Sequence, residues 1–182
     1  MNRAAFLDRD GVINRKASEG EYVTRWEEMQ FLPHVAEAIG RLNRAGYLVI
    51  VVSNQRCVAK GLLTIRDLES LHQRMSAKLA ADGAKIDGIY YCPHDYEDAC
   101  NCRKPAPGML FEAARDHQID LRASWMIGDS SLDVEAGRAA GCKTAQILDG
   151  KDITAGGASL AAPTLFDAVK QILQKENVIA IQ

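Results

Sequence analysis

The sequence predicts an α/β fold in three layers, a parallel sheet with helices on both faces. Three observations carry this. Short apolar runs alternate with segments of helical spacing along almost the whole chain, and that alternation selects parallel strands joined by helical crossovers. The run Tyr47 to Val52 is β-rich and apolar almost without a break, as a strand covered on both faces must be. Polar residues able to do chemistry, Asp8, Ser53, Cys92 and Asp129, follow the apolar runs, and such sheets bind ligands beyond the carboxyl ends of their strands.

The elements follow in order. Ala4 to Leu7 is a short apolar run ending at Asp8 and reads as the first strand. His34 to Ala45 places Val35, Ala38, Ile39 and Leu42 at helical spacing, and Gly46 supplies its stop. Tyr47 to Val52 is the second strand. A helix spans Thr64 to Ala81, with the Thr64 hydroxyl suited to cap it. Ile86 to Tyr91 is a third strand, and Pro107 to His117 a helix with proline near its start. Ser124 to Ile127 is the fourth strand, Leu132 to Ala140 a helix stopped by Gly141, Thr144 to Leu148 the fifth strand, and Leu165 to Gln174 the last helix. The Gly/Ala-rich stretch Asp149 to Pro163 reads as a surface loop. The whole pattern is that of a Rossmann-like sheet. With 182 residues and no insertion large enough for a separate cap, one domain over residues 1–182 is expected.

Composition excludes several classes. A formal net charge of -2 leaves no broad basic surface for nucleic acid, so an anionic substrate needs a local cluster of cations. The longest strongly apolar run is far too short to cross a bilayer. The N-terminal residues Met1 to Phe6 form no signal-peptide core, and a cytoplasmic protein is expected.

Asp8 and Asp10 lie two residues apart just past an apolar strand, in Phe6-Leu7-Asp8-Arg9-Asp10-Gly11. One carboxylate can attack phosphorus to form an aspartyl-phosphate. The other can protonate the leaving alkoxide and then activate water. Because carboxylates and substrate are all anionic, this chemistry needs a divalent cation, and hard oxygen ligands select magnesium. A solvated acidic turn after a strand has the same sequence. Ser53, Asn54 and Gln55 follow the second strand, where a hydroxyl and loop N–H groups can hold phosphate oxygens or simply form a turn. Arg103 and Lys104 supply adjacent cations. Asp129 follows the fourth strand and can complete the metal site, and Asp133 can support it or serve only as a helix-start carboxylate.

Three of the five cysteines crowd together. Cys92, His94, Cys100 and Cys102 offer three thiolates and one imidazole within 11 residues. That is a closed tetrahedral set, which argues for a structural zinc that orders a loop leading directly into Arg103-Lys104. Incidental thiols beside a surface histidine are the alternative. Cys57 and Cys142 stand apart as plain thiols.

In this order the segments around Asp8, Ser53, Lys104 and Asp129 resemble the haloacid dehalogenase superfamily of phosphatases. The resemblance runs from Phe6 to about Leu148. It implies Asp8 as nucleophile, Asp10 as general acid and base, and Ser53 and Lys104 on the transferred phosphoryl group. It also implies magnesium held by Asp8, the Asp10 main-chain carbonyl and Asp129. The run Tyr90-Tyr91-Cys92-Pro93-His94, then Cys-x-Cys-Arg-Lys-Pro, is similar to the D-glycero-D-manno-heptose 1,7-bisphosphate 7-phosphatases, and histidinol-phosphate phosphatases share it. Both are compact members in which the zinc loop takes part of the role of a cap. The resemblance implies hydrolysis of a sugar bisphosphate at position 7, in making heptose precursors of surface polysaccharide. It also implies contacts from Glu19 to Tyr22, Glu21 included, and from Arg103, to the sugar or its second phosphate. The chain departs from these families at Arg56-Cys57, where Ser-Gly is frequent, and at Ser130, where many heptose members carry lysine. The loop from Asn14 to Tyr22 is longer and the loop from His94 to Cys100 shorter. The remaining expectations are a monomer with a small phosphorylated metabolite as its partner, and neither nucleic acid nor membrane. A non-catalytic zinc-stabilised binding module is the reading from another class.

Overall fold

A computed structural model describes residues 1–148 and 157–179. Six strands form a single parallel sheet: β1 (Arg3–Leu7), β2 (Tyr47–Asn54), β3 (Gly88–Cys92), β4 (Trp125–Gly128), β5 (Lys143–Ile147) and β6 (Leu160–Ala162). Their order across the sheet is β3-β2-β1-β4-β5-β6, and every neighbouring pair is parallel. Five helices connect or follow them: α1 (Val35–Arg44), α2 (Ile65–Ala81), α3 (Gly108–His117), α4 (Ser131–Ala140) and α5 (Leu165–Ile179).

Side-chain alternation along each strand splits the interior in two. Ala5, Leu7, Val49, Val51 and Ile127 face one way and pack with Ile39, Met75 and Val169 of α1, α2 and α5. Ala4, Phe6, Ile50, Val52 and Met126 face the other way and pack with Leu110, Ala113 and Ala136 of α3 and α4. Burial on both sides explains why β2 reads as a continuous apolar run. Thr64 caps α2 as its sequence suggests, its hydroxyl accepting from the Asp67 N–H at 3.1 Å.

Several boundaries differ from the expectation: α5 runs on to Ile179 and β3 starts at Gly88. Of the predicted surface loop Asp149 to Pro163, residues 149–156 lie outside the described residues, and the remainder contains a sixth strand, β6. Leu160-Ala161-Ala162 carries no β-branched or aromatic residue, so local propensity does not mark it. Pairing with β5 does, burying Leu160 and Ala162 beneath α5. β2 also runs two residues further than predicted, because Ser53 and Asn54 still pair with Tyr91 and Cys92.

The direction of winding reverses between β1 and β4, which lie side by side with Leu7 opposite Ile127. The helices after these strands leave toward opposite faces and open a crevice at the strands' carboxyl ends. Asp8 and Asp129 are the residues that follow there. Among the described residues no helix is long and apolar enough to cross a membrane.

Candidate active site

A cavity of about 330 Å³ opens over that crevice, lined by Asp8, Asp10, Ser53, Asn54, Gln55, Lys104 and Asp129 at its base and by Glu21, Tyr22, Tyr96 and Arg103 toward its mouth. The turn after β1 brings Gly11 so close to Asp129 that a Cβ there would lie 2.5 Å from its Oδ2. With φ at +92° the position also demands glycine.

Asp8 is 9% exposed. Its Oδ1 accepts from the Arg9 main-chain N–H at 2.8 Å and pairs with the Lys104 ammonium at 2.9 Å. Burial pushes the Asp8 carboxyl up to about 7, with help from Asp133 and Asp10 and against the pull of Lys104. Lys104 is 3% exposed. It reaches Asp8, the Asp133 carboxylate at 2.5 Å and the Val52 carbonyl at 2.9 Å. Burial opposes its charge, but Asp8 and Asp133 hold it protonated well above the usual lysine range. The Asn54 side chain fixes where Lys104 starts: its Oδ1 accepts from the Lys104 N–H at 3.0 Å and its Nδ2 donates to the Lys104 carbonyl at 3.1 Å.

Asp10 lines the same cavity and is anchored by a separate set of donors. Both of its oxygens accept from Arg9 Nη2, at 3.0 and 2.8 Å, and Asn14 and Gln55 donate at 2.8 and 3.1 Å. Burial works against its charge, yet Arg9 and these donors hold it below the usual carboxylate range. Gln55 also donates to the Ser53 hydroxyl at 2.7 Å, joining two of the expected phosphate-loop residues to Asp10.

Asp8, Asp129 and Asp133 each bring a carboxylate oxygen within 4.8 Å of the others. Asp129 Oδ1 is buried and has no hydrogen-bond partner among the described residues, while Oδ2 accepts from Lys16 at 2.9 Å. An all-oxygen set with an unsatisfied buried carboxylate oxygen suits a small hard cation such as magnesium.

Cys92, His94, Cys100 and Cys102 converge in the same way. The sulfur–sulfur distances are 3.1 to 3.5 Å, and His94 Nδ1 lies 3.2 Å from Cys102 Sγ. Around a tetrahedral zinc with Zn–S near 2.3 Å, sulfurs stand about 3.8 Å apart, so the four atoms already outline such a site. Burial and the neighbouring sulfurs hold the Cys102 thiol well above its usual range. The cluster can hold zinc. Cys102→Ser is expected to lose the metal and to melt at least about 5 °C lower, the shift that roughly 2 kcal/mol produces in a chain of this size. Zinc analysis and calorimetry test this, and a variant that keeps a full equivalent of zinc and melts normally removes Cys102 from the ligand set.

Asp133 is a candidate in the sequence, whereas Lys16 and His72 carry no signal there. Asp133 closes the α4 capping box, its Oδ2 accepting from the Ser130 N–H and hydroxyl at 3.1 and 2.6 Å, while it also pairs with Lys104. Capping spacing was a visible signal, but the ion pair comes from tertiary structure. Lys16, from the long first loop, reaches Asp129. His72 sits on the apolar face of α2 at 4% exposure, its Nε2 3.2 Å from Arg9 Nη1.

Burial and Arg9 push the His72 imidazole down to about 3. The unfolded chain takes up that proton near pH 6.5. Between these values the unfolded state binds more protons, so stability falls as pH drops through the window. Going from about pH 7.5 to about 5.5 is expected to cost the wild type about 1.4 kcal/mol more than His72→Gln. Urea midpoints measure the difference, and equal losses contradict a buried neutral imidazole.

Comparisons with known proteins agree with this architecture. The family model for HAD-hydrolase-like proteins matches residues 101–171. D-glycero-beta-D-manno-heptose-1,7-bisphosphate 7-phosphatase of Pseudomonas aeruginosa is 40% identical over 160 residues, covering 88% of this chain and 89% of its own. The enzyme of the same name from Vibrio cholerae is 41% identical over 177 residues, covering 93% of each chain. A crystal structure of D,D-heptose 1,7-bisphosphate phosphatase from B. bronchiseptica, complexed with magnesium and phosphate, superposes with a TM-score of 0.86 at 33% identity. It covers 95% of this chain and 99% of that one. The chain therefore belongs to the haloacid dehalogenase-like hydrolases, in the family of the heptose-bisphosphate 7-phosphatases.

Proposed function

We propose that this protein hydrolyses the 7-phosphate of D-glycero-D-manno-heptose 1,7-bisphosphate through an aspartyl-phosphate on Asp8. The observation that carries the reading is the meeting of Asp8, Lys104 and Asp129 in one cavity at the winding reversal. The names and coverage of the relatives support the substrate.

In this reading an Asp8 carboxylate oxygen attacks phosphorus as the ester bond breaks. Asp10 gives a proton to the departing alkoxide, then takes one from the water that hydrolyses the acyl phosphate, which returns Asp8 and releases phosphate. Lys104 neutralises charge on the phosphoryl oxygens as it spreads in the transition state. Ser53 and the Asn54 main-chain N–H hold the same oxygens, whereas the Gln55 N–H is taken by the Cys92 carbonyl at 2.8 Å. A magnesium ion held by Asp8, Asp129 and the Asp10 main-chain carbonyl would offset phosphoryl charge and keep Asp8 anionic. In the resting protein Asp10 is anionic, the form that activates water. An arriving phosphate dianion raises its proton affinity, because like charges disfavour ionisation, so Asp10 takes up from solvent the proton that it then gives to the alkoxide. Glu21, Tyr22 and Arg103, at the mouth, meet the sugar and its distal phosphate.

Steady-state rates with magnesium on the heptose 1,7-bisphosphate, the heptose 7-phosphate, histidinol phosphate and a small aryl phosphate test the reading. A clear preference in kcat/KM for the bisphosphate is expected. Equal turnover of all four, or a preference for histidinol phosphate, overturns the substrate assignment.

A further inference from the structure

The mouth of the cavity holds an arrangement that the chemistry at Asp8 leaves unused. Tyr96 is 65% exposed, yet two guanidiniums lie over its ring, with Arg103 Cζ 4.2 Å and Arg56 Cζ 4.3 Å from the centroid. Two cations at one ring repel each other, so their positions need an anchor. Arg56 has one. Its Nε donates to Asp95 Oδ1 at 2.5 Å, and the same oxygen accepts from the Tyr96 main-chain N–H at 2.6 Å. Arg56, just after β2, thus grips both the ring and the start of the 3-10 turn that carries it. Arg103 is held more lightly: its Nη1 donates to the His94 carbonyl at 3.3 Å. Tyr96 and Arg103 both line the cavity, whereas Arg56 does not.

A guanidinium stacked on a ring commits its flat face and leaves its N–H donors free in the plane, the geometry that takes a phosphate by two parallel hydrogen bonds. We propose that Arg56 is a positioning residue for substrate choice. Through Asp95 and the Tyr96 ring it holds Arg103 edge-on to the cavity, ready for a second anionic group on a substrate whose first phosphate lies at Asp8. This rests on the bisphosphate reading above. It also gives a use to the departure at Arg56, which needs the aromatic partner at 96 to act.

The test compares the heptose 1,7-bisphosphate with the heptose 7-phosphate, which lacks the distal anion. Arg56→Ala is expected to raise KM for the bisphosphate about tenfold, the upper range for a stacked cation contact. Its kcat, its zinc content and its kcat/KM on the 7-phosphate should stay within about twofold. Tyr96→Leu should reproduce that pattern, and Tyr96→Phe, which keeps the ring, should behave as wild type. Equal losses on both substrates, loss of zinc, or an unchanged preference for the bisphosphate in Arg56→Ala overturns the proposal. A wild-type enzyme that does not distinguish the two substrates instead sinks the bisphosphate reading, before any variant is made.

Discussion

Asp8→Asn is expected to reduce turnover by about 10⁴-fold or more, the scale of loss when an enzyme's nucleophile is removed. The amide is nearly the same shape, but it has no oxygen able to attack phosphorus and retain the acyl phosphate. The variant should still fold. Burial disfavours the Asp8 charge, carrying its carboxyl up to about 7, so a neutral replacement relieves a cost in the metal-free protein while its carbonyl oxygen still accepts from Arg9 and Lys104. Single-turnover quench-flow and calorimetry, run on the same metal-free and magnesium-loaded samples, separate the two effects. Turnover near wild type, or a collapse in melting temperature without loss of chemistry, contradicts the assignment of Asp8.

Lys104→Met should damage both stability and rate. Lys104 lies 2.9 Å from Asp8 and 2.5 Å from Asp133, and both carboxylates are buried. Methionine fills most of the volume but leaves these two buried carboxyl groups without a counter-charge, a change typically worth 3–5 kcal/mol. At this chain length about 3 kcal/mol corresponds to a fall in melting temperature of roughly 6–12 °C. Loss of one positive group that stabilises transition-state charge typically lowers kcat by a further 10²–10³-fold. Magnesium should restore part of the stability, since a cation among Asp8, Asp129 and Asp133 offsets the same repulsion, and it should not restore the rate. A variant that melts within a degree of wild type, or that works at full rate with magnesium, refutes this account of Lys104.

Much of this architecture could be read from the chain. Strand–helix alternation and the unbroken apolar run of β2 led to a parallel sheet covered on both faces, and the polar residues closing those strands marked the crevice. The Cys-His spacing marked the cluster that can hold zinc, because four ligand groups so near in sequence are readily brought together in space. What escaped the sequence was set by tertiary contact. β6 is held in place by its neighbour and not by its own composition. His72 looks like one more residue on the inner face of α2 until Arg9 is found against it. Lys16 belongs to a loop whose path no periodicity fixes, and its contact with Asp129 spans 113 positions. The anchoring of the Asp10 carboxylate by Arg9, Asn14 and Gln55 likewise depends on side chains from the first loop and from the turn after β2 together.

The paired hydrogen bonds from Asn54 to the backbone of Lys104 have a consequence for how new specificities can arise on this scaffold. They weld the end of the thiol-rich loop to the central sheet, so that whatever happens upstream of it stops there. Replacements among the outer segments can resculpt the vestibule and select another guest while the ammonium at the floor keeps its address. Exchanging Asn54 for a residue without both a donor and an acceptor would undo that insulation, and every change at the rim would then be felt at phosphorus.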